Sequence, residues 1–206
     1  MNRACRWVEG MRAGHLLAVL LLLPLTAACG GPDVDPYLGA PRQSNIPAYA
    51  PDDKGLKKVA TFEAEVLILS RKDYDLFLKD SLSEYAPIDL AVAWGEAARQ
   101  DVRKQVRVWQ RDRYFFWHAD RQAWQDERVR RFGVQSANWH IIPANKVVSR
   151  AIKGVGEGDV VSLRGFLVDI APPGGGRSWK TSLTRTDKGG GACEIFLVTE
   201  AQEIES

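Results

Sequence analysis

From Ala60 to Leu69 apolar and polar positions alternate: Phe62, Ala64, Val66 and Ile68 fall on one side, with Glu63 and Glu65 on the other. A period of two predicts a half-buried strand. "RYFFWHA" (114–119 with Arg113) is aromatic and strand-like, and "VQSANWHII" alternates again until Pro143. In "NKVVSRAIK" the spacing changes. Val147, Val148, Ala151 and Ile152 recur as on one face of a helix, with Asn145 placed to cap its start and Gly154 to stop it. "VVSLRGFLVDI" predicts a long strand whose alternation slips by one residue at Gly165, the signature of a bulge. "SWKTSLTR" and "CEIFLV" read as a hairpin around "TDKGGGA". The segment 71–106 keeps no single period and reads as loop and helix. Together these elements predict an α+β, mainly β domain: a small curved sheet or barrel of the OB or SH3-like sort, with one or two helices.

The first 55 residues follow neither period. Arg3, Arg6 and Arg12 precede the apolar run "HLLAVLLLLPL", which ends at Leu25. A run of about ten apolar residues suits a signal peptide, whereas a membrane-spanning helix needs about 20. Either Met1 or Met11 would serve as its start. Residues 30–55 hold five of the ten prolines and four glycines, which predicts a flexible tether. The expected organisation is a signal peptide (1–28), Cys29 with a tether (29–55), and one globular β-rich domain (56–206).

"LTAAC" (25–29) resembles the lipobox of bacterial lipoproteins. The resemblance implies cleavage after Ala28, acylation at Cys29, and attachment to the cell envelope by lipid. Gly30, in place of an aspartate, implies the outer membrane, facing the periplasm, in a Gram-negative cell. Residues 1–28 hold three arginines and one glutamate, so the processed chain carries 25 basic and 25 acidic residues. A net charge near zero gives no reason to expect nucleic acid as a partner. Further along, "DLAVAWG", "SANWHIIPAN", "GDVVSLRGFLVDI" and "WKTSLTRTDKGGGACEIFLV" resemble the shared blocks of an uncharacterised family of bacterial exported or membrane-associated proteins. That likeness covers most of residues 60–199, and it implies one intact domain but no activity.

Candidate chemistry is sparse. After processing and lipidation Cys193 is the remaining thiol, which excludes an intramolecular disulfide. On a strand it would share a face with Ile195 and Leu197, so the pattern favours a buried core thiol over a redox role or a nucleophile. A barrel with a histidine and a late-strand cysteine is similar to the sortases, but those place an arginine after the cysteine and none follows here. In "QSANWHII" the side chains of Ser136, Asn138 and His140 point one way and could line a pocket. His140 would be the base for either Ser136 or Cys193. The two histidines of the processed chain, His118 and His140, with no CxxC, HxxxH or HExxH spacing, give no metal site and no cofactor. Between Arg99 and Arg131 ten basic residues interleave with aromatic ones, including Arg113 and Trp117. That mixture suits an anionic glycan or lipid, or an envelope protein partner. The expected function is an outer-membrane-anchored binding or scaffolding lipoprotein. The alternative is an envelope hydrolase or transferase using His140 with Ser136 or Cys193.

Overall fold

The computed structural model describes residues 38–47, 49–74, 79–187 and 192–204. The expected signal peptide, Cys29, the first part of the expected tether and residues 188–191 of the glycine turn lie outside the described residues. The described elements, in chain order, are β1 (Arg42–Asn45), β2 (Leu56–Asp73), β3 (Ile88–Ala93), α1 (Gln100–Arg103), β4 (Val106–Arg111), β5 (Tyr114–Ala119), α2 (Glu127–Arg130), β6 (Ser136–Pro143), α3 (Lys146–Gly154), β7 (Val160–Ile170) and β8 (Glu194–Ile204). The domain is α+β and mainly β, with three short helices.

The strands run β1-β2-β3-β6-β8-β7, and β7 pairs back onto β2. Five strands therefore close on themselves and β1 is added at β2. The long β2 makes closure possible. Residues 56–67 pair with β7 and residues 67–73 with β3, and register shifts at Lys58/Ala60 and Ile68/Ser70 bend the strand from one neighbour to the other. β6 and β8 are parallel, the other barrel pairs are antiparallel, and α3 bridges β6 to β7. This is the connectivity of an OB barrel rather than an SH3 barrel. The β4–β5 hairpin is inserted between the second and third barrel strands.

Phe62, Trp139 and Phe196 fill the barrel edge to face, with ring centroids 4.9–5.8 Å apart. Truncating any one to alanine would cost about 3–5 kcal/mol. A smaller cluster outside the barrel joins Leu56, Ile142, Val168, Ile170 and Ile195 to Leu82 and Ala86 of the β2–β3 loop. The slip at Gly165 is present as a register shift against β8. A Cβ there would lie 2.0 Å from the Leu197 carbonyl oxygen, so close approach of β8 demands glycine. Asn145 caps α3 as expected, its side chain accepting from the Val147 and Val148 N–H groups. Val148 and Ile152 are buried, while Val147 is exposed.

Three expectations need correction. Part of the expected tether belongs to the domain: β1 pairs with residues 60–63, the Gly95 N–H donates to the Leu38 carbonyl, and Leu38 is buried in the main core. Proline and glycine there punctuate a short edge strand. "SWKTSLTR" forms no strand; only Trp179 bridges to Ile170. β8 instead takes β6 and β7 as neighbours, which leaves the expected partner outside the sheet. The aperiodic segment contains β3, all six of whose residues are buried. A strand covered on both faces has no alternation to read.

Candidate functional site

Neighbouring strands bring the chemistry together. In the β3–β6 pair Asp89 lies directly opposite His140, and in the β6–β8 pair His140 lies opposite Ile195. Side chains two apart share a face. Asp89, Asn138, His140 and Cys193, the residue just before β8, therefore all face outward from the barrel.

Asp89 is completely buried. A buried carboxylate must be paired, and donors surround this one. His140 Nδ1 donates to Oδ1 at 2.8 Å, and so does Arg113 Nη1 at 2.8 Å. Tyr74 Oη donates to Oδ2 at 3.2 Å and Asn138 Nδ2 at 3.4 Å. Arg113 reaches this position from the two-residue turn of the β4–β5 hairpin. Asp112 and Arg113 have φ of 50° and 70°, the pattern of a type I′ turn. Arginine is strained there. The strain is sustained by a two-pronged pair with Asp80 (2.8 and 2.9 Å), a bond to the Ala86 carbonyl, and stacking over the Tyr74 ring at 3.4 Å. Burial pushes the Tyr74 phenol well above its usual range, with the Asp89 charge adding to it.

His140 is nearly buried. Burial opposes its charge, but the hydrogen bond to Asp89 and that carboxylate's charge, with the Cys193 sulfur nearby, outweigh it and push its pKa from 6.5 to about 9. With Nδ1 on Asp89, Nε2 is the ring nitrogen left open, and Cys193 lines the same cavity as the imidazole. Cys193 is free and only half-buried, which corrects the expectation of a core thiol. It stands one position outside the strand, where the barrel wall gives way to a cavity. Its carbonyl accepts from the Ser182 N–H at 3.1 Å, which ties the β7–β8 connection to it.

Two cavities meet at Cys193. One, of about 680 Å³, lies between the β2–β3 loop (Asp80–Leu82) and the β7–β8 connection (Arg177–Thr181), with His140 on its wall. The other, of about 550 Å³, is lined by Tyr114, Phe116, Trp117 and Trp124. An acid-held imidazole beside an accessible thiol is the arrangement used for nucleophilic catalysis: the base takes the thiol proton and later returns it to a leaving group.

The other expected residues divide. Ser136 is buried and donates to the Phe132 carbonyl at 2.7 Å, so it does not face the imidazole as a nucleophile. Asn138 bonds Asp89, the Arg113 carbonyl and Gln110, which makes it a brace rather than an open binding group. Arg113 is consumed by Asp80 and Asp89, and this corrects its expected role in ligand binding. Trp117 does line the aromatic cavity. Of the basic stretch, Arg99 and Arg128 pair with nearby carboxylates, and Arg130 bonds the Trp124 and Gln125 carbonyls. His118 is exposed, near Asp120. Asp89 and Tyr74 were not anticipated. The signal for Asp89 was one carboxylate inside the apolar run "IDLAVA", where a charge requires a reason.

Comparison of the chain with protein-family models, with curated proteins and with solved structures finds no match.

Proposed function

We propose that the domain is a thiol-dependent acyl-transfer enzyme, a hydrolase or transferase, with Cys193 as nucleophile, His140 as base and acid, and Asp89 holding the imidazole. The observation that carries this reading is His140 set between a fully buried carboxylate and a half-exposed thiol at the wall of a cavity. In the first step the proton shared by Cys193 and His140 rests on the imidazole, and the Cys193 sulfur bonds to the substrate's carbonyl carbon. The bond from that carbon to its nitrogen or oxygen leaving group then breaks, and the leaving group takes the proton from His140. Water or a second nucleophile gives its proton to His140, attacks the thioester and releases the thiol. Asp89 keeps Nε2 directed at sulfur and offsets the imidazolium charge. Arg113, Tyr74 and Asn138 act through Asp89 as positioning residues.

The test is acylation by p-nitrophenyl acetate. A burst of nitrophenolate, with an acetyl group on Cys193, is expected from the native chain and not from Cys193→Ala. A burst that survives Cys193→Ala overturns the reading.

A second reading, the binding module, is favoured by one observation. The larger cavity lies between the β2–β3 and β7–β8 loops, the side on which OB barrels take ligands. In either case the "LTAAC" segment supports an envelope lipoprotein anchored to the outer membrane at Cys29 and facing the periplasm. Palmitate labelling that persists in Cys29→Ser would contradict the anchor.

A further inference from the structure

The larger cavity is unequal in charge. Asp80 on its wall is neutralised by the two-pronged Arg113 pair, and Asp112 lies beside Arg111. Arg177 and Lys180, on the opposite wall, have no carboxylate within ion-pair distance among the described residues.

The segment bearing Arg177 and Lys180 is held in place although it forms no strand. Trp179 exchanges two backbone hydrogen bonds with Ile170, at 2.8 and 2.9 Å. The Thr181 N–H donates to Asp169 Oδ1 at 3.0 Å, and Thr181 Oγ1 accepts from the Ile195 N–H at 2.9 Å. Trp179 and Thr181 are thus turned toward the barrel, and Lys180, between them, stays exposed. The Arg177 guanidinium lies over the Trp179 ring, 6.0 Å from its centroid. Both cations therefore border the cavity that holds Cys193 and His140, on a segment fastened to β7 and β8.

We infer that this cavity takes an acyl substrate bearing a carboxylate beside the scissile carbonyl, with Arg177 and Lys180 receiving the carboxylate while Cys193 attacks. The inference rests on the acyl-transfer reading. It assigns the two cations a specificity role and no part in the chemistry.

The test uses two alkylating probes of similar size, anionic iodoacetate and neutral iodoacetamide. The full chain carries Cys5→Ser and Cys29→Ser, so that Cys193 is its sole thiol. Each reaction forms a thioether at Cys193 and releases iodide. Arg177→Glu with Lys180→Glu should lower the iodoacetate-to-iodoacetamide rate ratio by roughly tenfold at low salt, as two reversed charges on the wall of the same cavity would, with the difference shrinking at high salt. The iodoacetamide rate itself should stay within about twofold, because neither residue touches His140 or Asp89. An unchanged ratio overturns the carboxylate assignment while leaving the thiol chemistry standing. Slow iodoacetamide reaction in both proteins overturns the acyl-transfer reading, and this inference with it.

Discussion

Asp89 Oδ1 and His140 Nδ1 lie 2.8 Å apart across adjacent antiparallel strands, at directly opposite register positions. Strand pairing therefore sets the two backbones opposite each other, and the bonds from Arg113, Tyr74 and Asn138 hold the carboxylate toward the imidazole. The same carboxylate also receives Arg113, whose side chain is 11% exposed. Breaking a buried pair by removing one partner costs more than the pair's net worth, because the other charge is left behind. Asp89→Ala should lower stability by about 3–5 kcal/mol, measured by urea unfolding. Asp89→Asn should retain more of the fold while altering the titration of His140.

The protonation of His140 gives a pH signature. Its folded pKa of about 9 exceeds the ordinary 6.5, so the folded state binds the proton more tightly. The resulting stability is fully present below about 6.5 and is lost as pH rises through about 9. Burial likewise raises the Glu194 carboxyl from 4.5 to about 7, against the opposing effect of Arg185, so stability also falls between those values. Urea midpoints at pH 6.5 and 9.5 should differ in the native chain. In His140→Gln that difference should be reduced.

At the N-terminal side, β1 and Leu38 make residues 38–55 part of the domain. The reference is a chain beginning at Gly31. A chain beginning at Leu56, which lacks β1 and the buried Leu38, should be less stable by at least about 2 kcal/mol, the worth of one buried leucine. Equal stability of the two truncations would return this segment to the role of a tether.

Gly165 gives a local test of the barrel. Alanine there would place its Cβ against the Leu197 carbonyl, and the backbone must shift to admit it. We expect a loss on the order of 2–3 kcal/mol, read from the thermal midpoint, with the separation of β7 and β8 visible as faster amide exchange in β8.

Much of the barrel could be read from the chain because half-buried strands advertise themselves by alternation. β2, β6 and β7 do so, and the Gly165 slip marks a bulge. α3 is legible from its cap and spacing. β3 was not, because a strand buried on both faces carries no period, and with it went Asp89. His140 and Cys193 were each visible as single residues. Their meeting was not, because it depends on β6 pairing in parallel with β8, a contact between segments about 50 residues apart that no local pattern records. The expected hairpin accounts for the Ser182–Cys193 backbone bond but not for the approach of β8 to β6. Arg113 stood out as part of a basic stretch, but its pairing with Asp80 and Asp89 is long-range and turned an expected ligand group into a structural one.

The central claim is that Cys193 is activated by His140, and its direct measure is the rate at which native Cys193 reacts with iodoacetamide at pH 7. The chain used has Cys5 and Cys29 replaced by serine, with and without His140→Ala. An unassisted thiol is only a few per cent ionised at that pH, so loss of the imidazole should slow the reaction about tenfold or more, while circular dichroism reports an intact fold. A native thiol that reacts slowly, becomes reactive only on denaturation, and is indifferent to His140→Ala would contradict the account.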